Sequence, residues 1–142
     1  MPGIYGPGDD DISLINKFVK SALTKKKVTL IGNGKDKRDL VYVDDIYKII
    51  KSSIKNKPNI LLNIATGKSY NINQIIEFIR SDYLVDFLVE YKQKEKGAQI
   101  YDLVYDVSLL NKFFPNFNPV NLKKGINLYI KYYKSKKRDL IL

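Results

Sequence analysis

Four stretches of the chain carry apolar residues three or four positions apart, a spacing that places them on one face of a helix. The predicted inward positions are Ile12, Ile15, Phe18, Val19 and Ala22; Ile46, Ile49, Ile50 and Ile54; Ile72, Ile75, Ile76 and Ile79; and Leu122, Ile126, Tyr129, Ile130 and Tyr133. Polar residues that favour helix N-termini precede the last three stretches. We expect Asp44 or Asp45, Asn71 and Asn121 to cap these helices, and Asp106 to cap a short helix that ends before Pro115.

Shorter runs of apolar and β-branched residues predict strands at residues 1–5, 28–31, 40–43 and 60–65. The first run stops at Gly6-Pro7-Gly8 and the second at the turn Gly32-Asn33-Gly34. The run at 60–65 is almost continuously apolar, which is typical of a strand buried on both faces. Helices and strands alternate, so the sequence predicts an α/β fold with a parallel sheet covered on both sides.

Composition limits the classes of protein. The chain has 142 residues, 44% of them hydrophobic, which suits a single domain with an ordinary core. It contains neither Cys nor His, so disulfides, thiolate metal sites and a zinc site are not expected. No long apolar segment or secretory signal is visible, and the predicted location is the cytoplasm.

The net charge of +10 has two interpretations. Of the 25 basic residues only Arg38, Arg80 and Arg138 are arginines, which leaves 22 lysines. Proteins that bind nucleic acids usually use more arginine, because its planar fork matches phosphates and bases. The lysines are therefore interpreted mainly as solvated surface residues, with an anion-binding face as the alternative.

Arg38 is the strongest candidate for chemistry. It follows the tight turn at 32–34 and precedes an apolar run, and a guanidinium in this position could hold a diphosphate through two parallel hydrogen bonds. The alternative is an ordinary ion pair with Asp36, Asp39 or Asp44. The turn itself is not a dinucleotide-binding fingerprint, which requires three spaced glycines between a strand and a helix.

Several motifs in order along the chain resemble one family. They are Ile4-Tyr5-Gly6-Pro7-Gly8, the segment from Gly32 through Arg38-Asp39 to Asp44-Asp45, Asn63-Ile64-Ala65-Thr66-Gly67, Asp106-Val107-Ser108, Phe114-Pro115, and Leu122-Lys123-Lys124-Gly125-Ile126. Together they resemble the C-terminal half of the extended short-chain dehydrogenases/reductases, the NAD(P)-dependent nucleotide-sugar epimerases and dehydratases. The resemblance implies an incomplete Rossmann domain, with its last parallel strands and a small substrate-binding subdomain, over residues 1–142.

The resemblance also implies roles for individual residues. Arg38 would contact the substrate diphosphate, and the strand that carries Val28, Thr29 and Ile31 would face the nucleotide base. Lys96, with Lys94, lies in a loop where family members often carry a second phosphate-binding arginine. Tyr5 and Pro7 would lie near the nicotinamide and the sugar. Many members have Asn two residues before the tyrosine, whereas this chain has Gly3.

The expected function is thus the substrate side of an enzyme that binds a nucleotide diphosphate-sugar. In this family the glycine-rich cofactor motif and the catalytic Tyr-x-x-x-Lys pair lie upstream of the segment that contains Tyr5. We therefore expect the chain alone neither to bind NAD or NADP nor to turn over substrate. It would pair with a missing N-terminal half, or self-associate, through residues 60–65. The alternatives are a basic nucleic-acid-binding module and a catalytically inactive oligomerisation partner.

Overall fold

A computed structural model describes residues 2–9, 13–24, 27–56, 59–83, 87–94 and 101–139. The elements in chain order are β1 (Gly3–Tyr5), α1 (Leu14–Thr24), β2 (Val28–Ile31), β3 (Lys37–Tyr42), α2 (Val43–Asn56), β4 (Ser69–Asn71), α3 (Ile72–Tyr83), β5 (Val89–Lys92), β6 (Asp102–Leu103), α4 (Ser108–Phe113) and α5 (Leu122–Asp139). The predicted α/β alternation is confirmed, and β4 and β6 are elements that the apolar pattern did not indicate.

β3 is the central strand of the larger sheet. Its second half pairs in parallel with β1, so that Tyr5 lies opposite Tyr42. Its first half pairs antiparallel with β4, which places Arg38 opposite Tyr70, and in parallel with β6. β2 and β5 form a separate parallel pair. The predicted parallel pairing is therefore confirmed for β1 with β3 and for β2 with β5, although these strands lie in two sheets. The exception is β4, a strand of three residues that runs antiparallel to β3 and leads directly into α3.

The main core lies where α1, α3 and α5 pack together and against the strands. The inward positions predicted for α3 are confirmed, since Ile72, Ile75, Ile76 and Ile79 are all at most 7% exposed. Asn71 caps this helix as predicted: its Oδ1 accepts a hydrogen bond from the Gln74 amide at 2.8 Å, and Gln74 Oε1 accepts one from the Asn71 amide at 2.9 Å. This reciprocal pair satisfies two helix-terminal N–H groups.

The prediction for α2 is wrong in two respects. Only Ile49 of the apolar stripe is fully buried, whereas Ile50 and Ile54 are 50% and 71% exposed. The helix begins at Val43, so Asp44 and Asp45 lie in its first turn and do not cap it. A periodic apolar stripe indicates a helix face but not whether the described chain provides enough surface to cover it.

Residues 60–65 do not form the predicted strand. They have no assigned strand pairing, and exposure alternates from Leu61, 93% exposed, to Ala65, which is buried. Leu62 and Ile64 pack against a second, smaller core cluster of Ile49, Leu110 and Phe114. An apolar run forms a strand only where a neighbouring strand supplies hydrogen-bond partners, and among the described residues none does so here.

Candidate diphosphate and nucleotide site

The turn at 32–34 connects β2 to β3, which belong to different sheets, and does not close a hairpin. Gly32 and Gly34 have φ values of 99° and 74°, in the left-handed region that favours glycine. The Gly32 amide donates to the Lys92 carbonyl at 2.7 Å and so fixes the turn to the end of β5. The turn thereby places the start of β3 beside the small sheet.

The three candidate residues on β2 do not share one face. Val28 is 7% exposed and belongs to the core, whereas Ile31 is 71% exposed and Thr29 is exposed beside it. Strand residues alternate between faces, so only Thr29 and Ile31 can meet a ligand from the outer face. The side chain of Val28 therefore belongs to the core, which leaves only its main chain for the expected contact with a base. Thr29 Oγ1 donates to Glu90 Oε2 at 3.3 Å.

Arg38 lies half-buried near the start of β3. Its Nη1 donates to the main-chain carbonyl of Lys37 at 2.9 Å. Within the part of the chain that the structure describes, Arg38 forms no ion pair with a carboxylate. The guanidinium therefore keeps donors available for an external anion.

Asp36 and Asp39, two of the three acids that could have paired with Arg38, have other partners. Asp36 forms an ion pair with Lys94, at 2.8 Å between Oδ2 and Nζ, and also accepts a hydrogen bond from the Tyr101 amide at 3.1 Å. The hydrogen bond from Lys94 lowers the pKa of the Asp36 carboxyl, and the positive charge of Arg38 adds to the lowering. Lys94, which the resemblance implied for a loop that often binds phosphate in the family, thus neutralises Asp36.

Two further acids of the same motif are buried and fix loops. Asp39 is 1% exposed and receives hydrogen bonds from Thr66 and Gly67. Asp45 is fully buried, and its two oxygens accept from the Val120 amide at 2.7 Å and from Lys48 Nζ at 2.8 Å. These structural roles were missed from the sequence, because the loop amides that they bind lie 27 and 75 residues away.

Tyr5 and Pro7 line a cavity of about 270 Å³ formed by the Gly6-Pro7-Gly8 turn, Asp9, Ser13 and Val43. The Tyr5 ring is 1% exposed, and its hydroxyl donates to the Leu122 carbonyl at 3.4 Å. Burial raises the pKa of the Tyr5 hydroxyl. The side chain of Tyr5 is therefore part of the core, so the expected cofactor contact of this turn could come only from its main chain and from Pro7.

The structure does not bring Arg38 and Tyr5 together. Tyr5 lies opposite Tyr42, four residues beyond Arg38 along β3, which is about 13 Å at the usual rise of a strand. The two candidate contacts thus lie near opposite ends of β3, a separation that suits different parts of one extended ligand. Lys96 lies outside the described residues.

The spacing Tyr-x-x-x-Lys does occur in this sequence, which corrects the expectation that the motif is absent. Tyr47 and Lys51 have this spacing on α2, and on α5 it occurs twice, for Tyr132 with Lys136 and for Tyr133 with Lys137. The ammonium groups of Lys51 and Lys136 lie over the rings of Tyr47 and Tyr132, 5.8 Å and 5.5 Å from the centroids. Tyr47 is 61% exposed, and none of the three tyrosines lines the cavity at Pro7.

The described ranges contain no cluster of three or more acidic, His or Cys side chains that could hold a metal ion. The same residues include no helix that is long and apolar enough to cross a membrane.

Residues 1–73, just over half of the chain, match the NAD-dependent epimerase/dehydratase family. The chain belongs to this family. It is 26% identical over 140 residues to a putative UDP-glucose 4-epimerase of Methanocaldococcus jannaschii, covering 95% of this chain and 44% of that protein. It is 29% identical over 134 residues to a UDP-glucuronate 4-epimerase of Thermodesulfobacterium geofontis, covering 92% and 41%.

The fold of this family member also matches solved structures. One is a UDP-N-acetylglucosamine 4-epimerase from Methanobrevibacter ruminantium in complex with UDP-N-acetylmuramic acid, with a TM-score of 0.80 and 27% identity over 95% of this chain and 44% of that one. The Rossmann-like α/β class is thereby confirmed. The chain spans less than half the length of the relatives it matches. The comparisons do not confirm the C-terminal position predicted from the sequence.

Proposed function

We propose that this chain is the nucleotide-sugar-binding portion of an NAD-dependent epimerase or dehydratase and that Arg38 holds the substrate diphosphate. The observation that carries the proposal is that the Arg38 guanidinium has N–H donors available for a ligand. Arg38 donates to one main-chain carbonyl, while Lys94 neutralises Asp36 and loop groups occupy Asp39. A half-buried arginine without a carboxylate partner among the described residues suits an anionic ligand.

The outer face of β2 is the surface on which we propose that the nucleotide base binds. Ile31 offers an exposed apolar side chain on which a planar ring can lie, and Thr29 offers a hydroxyl beside it. β2 and β5 form a two-stranded sheet, so β2 has one edge without an assigned strand partner. Main-chain N–H and C=O groups on such an edge can bond to the polar edge of a base.

The relatives support the ligand class. The Methanobrevibacter ruminantium structure contains a UDP-sugar, and the two curated relatives carry the names of UDP-sugar epimerases. For this chain the proposed ligand is a nucleoside diphosphate-sugar, and the whole enzyme would use NAD or NADP as the hydride carrier. The cavity at Pro7 would receive the sugar and the nicotinamide. The main chain of the turn around this cavity would orient these groups. The pyrophosphate of the cofactor would need a glycine-rich turn, which these 142 residues do not include.

The test is titration of the 142-residue chain with UDP by calorimetry. Arg38→Ala should weaken binding by about tenfold or more, since charge-assisted hydrogen bonds contribute about 1.5–3 kcal/mol each. Arg38→Lys should recover only part of the affinity, because an ammonium cannot present two parallel donors. Lys131→Ala on α5 removes one positive charge elsewhere and serves as the matched control. Equal UDP affinities for the Arg38→Ala and Lys131→Ala proteins would contradict the proposal.

Catalytic incompetence of the chain alone is the second part of the proposal. Neither a glycine-rich dinucleotide turn nor a Tyr-x-x-x-Lys pair at the Pro7 cavity is found among the described residues. UDP-glucose and NAD with the purified chain should therefore give no epimerised product. Multiple turnovers of UDP-glucose by the purified chain would overturn this part of the proposal. The role of Arg38 would still be decided by the UDP titration.

A further inference from the structure

We propose that Asn73 is a positioning residue, which holds the turn at 32–34 and thereby sets the approach of Arg38 to an anionic ligand. The inference rests on the proposed function for its ligand and on the contacts of Asn73 for its mechanism. Asn73 lies half-buried in the first turn of α3.

Each polar group of Asn73 has a partner around the turn. Its amide N–H donates to the Gly34 carbonyl at 3.2 Å, and its side-chain Nδ2 donates to the Asn33 carbonyl at 3.1 Å. Its Oδ1 accepts a hydrogen bond from the Tyr91 hydroxyl at 2.9 Å. One side chain thus joins α3, the turn and β5.

Gly34 shows how closely Asn73 approaches the turn. A Cβ built on Gly34 would collide with the Asn73 carboxamide, and the φ of 74° disfavours any other residue at this position. Glycine is therefore needed both for the backbone conformation and for the close approach. The carboxamide fills the space that a side chain on the turn would otherwise occupy.

The contacts between the start of α3 and the turn continue along the chain to Lys37, the residue before Arg38. The Ile72 amide donates to the Asp36 carbonyl at 3.2 Å, and Asn71 pairs with Lys37 across β3 and β4. The start of α3 is thus hydrogen-bonded along residues 33–37. A change at Asn73 should therefore move the start of β3, whereas the core face of α3 formed by Ile75 and Ile79 should stay in place.

The variants are chosen to separate the three bonds. Asn73→Ala removes both side-chain bonds and retains the amide. Asn73→Asp keeps an acceptor for Tyr91 but replaces the donor to Asn33 by a carboxylate oxygen. Tyr91→Phe removes only the hydroxyl donor. The control is Asn111→Ala, at an exposed asparagine of α4 whose side chain forms no hydrogen bond with the residues that the structure describes.

UDP affinity and melting temperature are measured together with hydrogen exchange at the amides of residues 32–38. We expect Asn73→Ala and Asn73→Asp to weaken UDP binding by about tenfold and Tyr91→Phe by about two- to threefold, because small misplacements of a binding group are costly. Exchange at 32–38 should rise, whereas the melting temperature should stay close to that of the Asn111→Ala control. A purely structural role would instead lower the melting temperature without a separate loss of affinity.

Two results would overturn the inference. Unchanged exchange at 32–38 in Asn73→Ala would show that Asn73 does not hold the turn. Faster exchange with unchanged UDP affinity would show that the turn does not position the site. If the wild-type chain binds no UDP, the proposed function fails, and exchange alone then decides whether Asn73 holds the turn.

Discussion

The Asp39 carboxylate accepts hydrogen bonds from both the main-chain amide and the side-chain hydroxyl of Thr66. Asp39 Oδ1 accepts from the Thr66 amide at 3.0 Å and from Thr66 Oγ1 at 2.6 Å, while Oδ2 accepts from the Gly67 amide at 2.9 Å. The carboxylate is 1% exposed, so the three bonds replace its hydration. It fixes the loop that follows residues 60–65 to the central strand, one residue beyond Arg38.

Removal of this carboxylate should destabilise the fold. We expect Asp39→Ala to lower the free energy of unfolding by about 3 kcal/mol, because it leaves buried donors without an acceptor. Asp39→Asn should cost about half as much, since one carbonyl oxygen remains. Urea denaturation measures both. Asp44→Ala, an exposed acid five residues away, is the control and should cost at most about 0.5 kcal/mol at the helix N-terminus.

The ion pair of Asp36 with Lys94 should make stability depend on pH. The folded pKa of Asp36 lies below the ordinary value of 3.8, so the unfolded chain takes up the proton first as the pH falls. The ion pair contributes about 1 kcal/mol to the free energy of unfolding, as a partly buried pair does. This contribution is complete above the ordinary pKa of Asp36 and is lost as the pH falls through its pKa in the folded protein. The difference in unfolding free energy between wild type and Asp36→Asn should therefore be present at neutral pH and vanish in acid. A difference that is constant over this range would contradict the assignment.

Gly125 of α5 should not tolerate a side chain. A Cβ at this position would collide with the Tyr5 hydroxyl, although alanine has the higher helix propensity by about 1 kcal/mol. We expect Gly125→Ala to destabilise the protein by about 1–3 kcal/mol, the usual cost of overpacking. In a Tyr5→Phe background the same substitution should cost less, because the hydroxyl is gone. Equal costs in the two backgrounds by urea denaturation would show that the hydroxyl is not the obstacle.

Residues 60–65 should mediate association. Leu61 is 93% exposed and Ile60 37%, next to a segment with no assigned strand pairing, and such apolar segments favour pairing with another chain. Light scattering should detect self-association at micromolar concentrations, and Leu61→Lys should reduce it. Leu109→Lys, at an apolar residue of α4 that is 48% exposed, is the control. A wild-type chain that is monomeric throughout would contradict the prediction.

Local patterns predicted the helices and the caps at Asn71 and Asn121. The caps predicted at Asp44 or Asp45 and at Asp106 are wrong, because α2 begins at Val43 and the N-cap of α4 is Val107. The stripe of Ile72, Ile75, Ile76 and Ile79 and the cap at Asn71 depend on residues within one or two turns, and both are confirmed. β2 was also recognised from its own residues. The motif around Arg38 identified the family, because order and spacing along the chain are properties of the sequence itself.

Only the tertiary structure decided which of these residues are available for binding. Asp36, Asp39 and Asp45 look alike in the sequence, but Lys94, Thr66 and Val120 lie 27 to 75 residues away and become their partners only in the folded chain. The sequence alone therefore determined the family and the helices, and it singled out Arg38 as the candidate for anion binding. The fold decided that the neighbouring acids are occupied, that Val28 and the ring of Tyr5 belong to the core, and that residues 60–65 form no strand. Burial and pairing depend on contacts between distant segments, which local patterns do not encode.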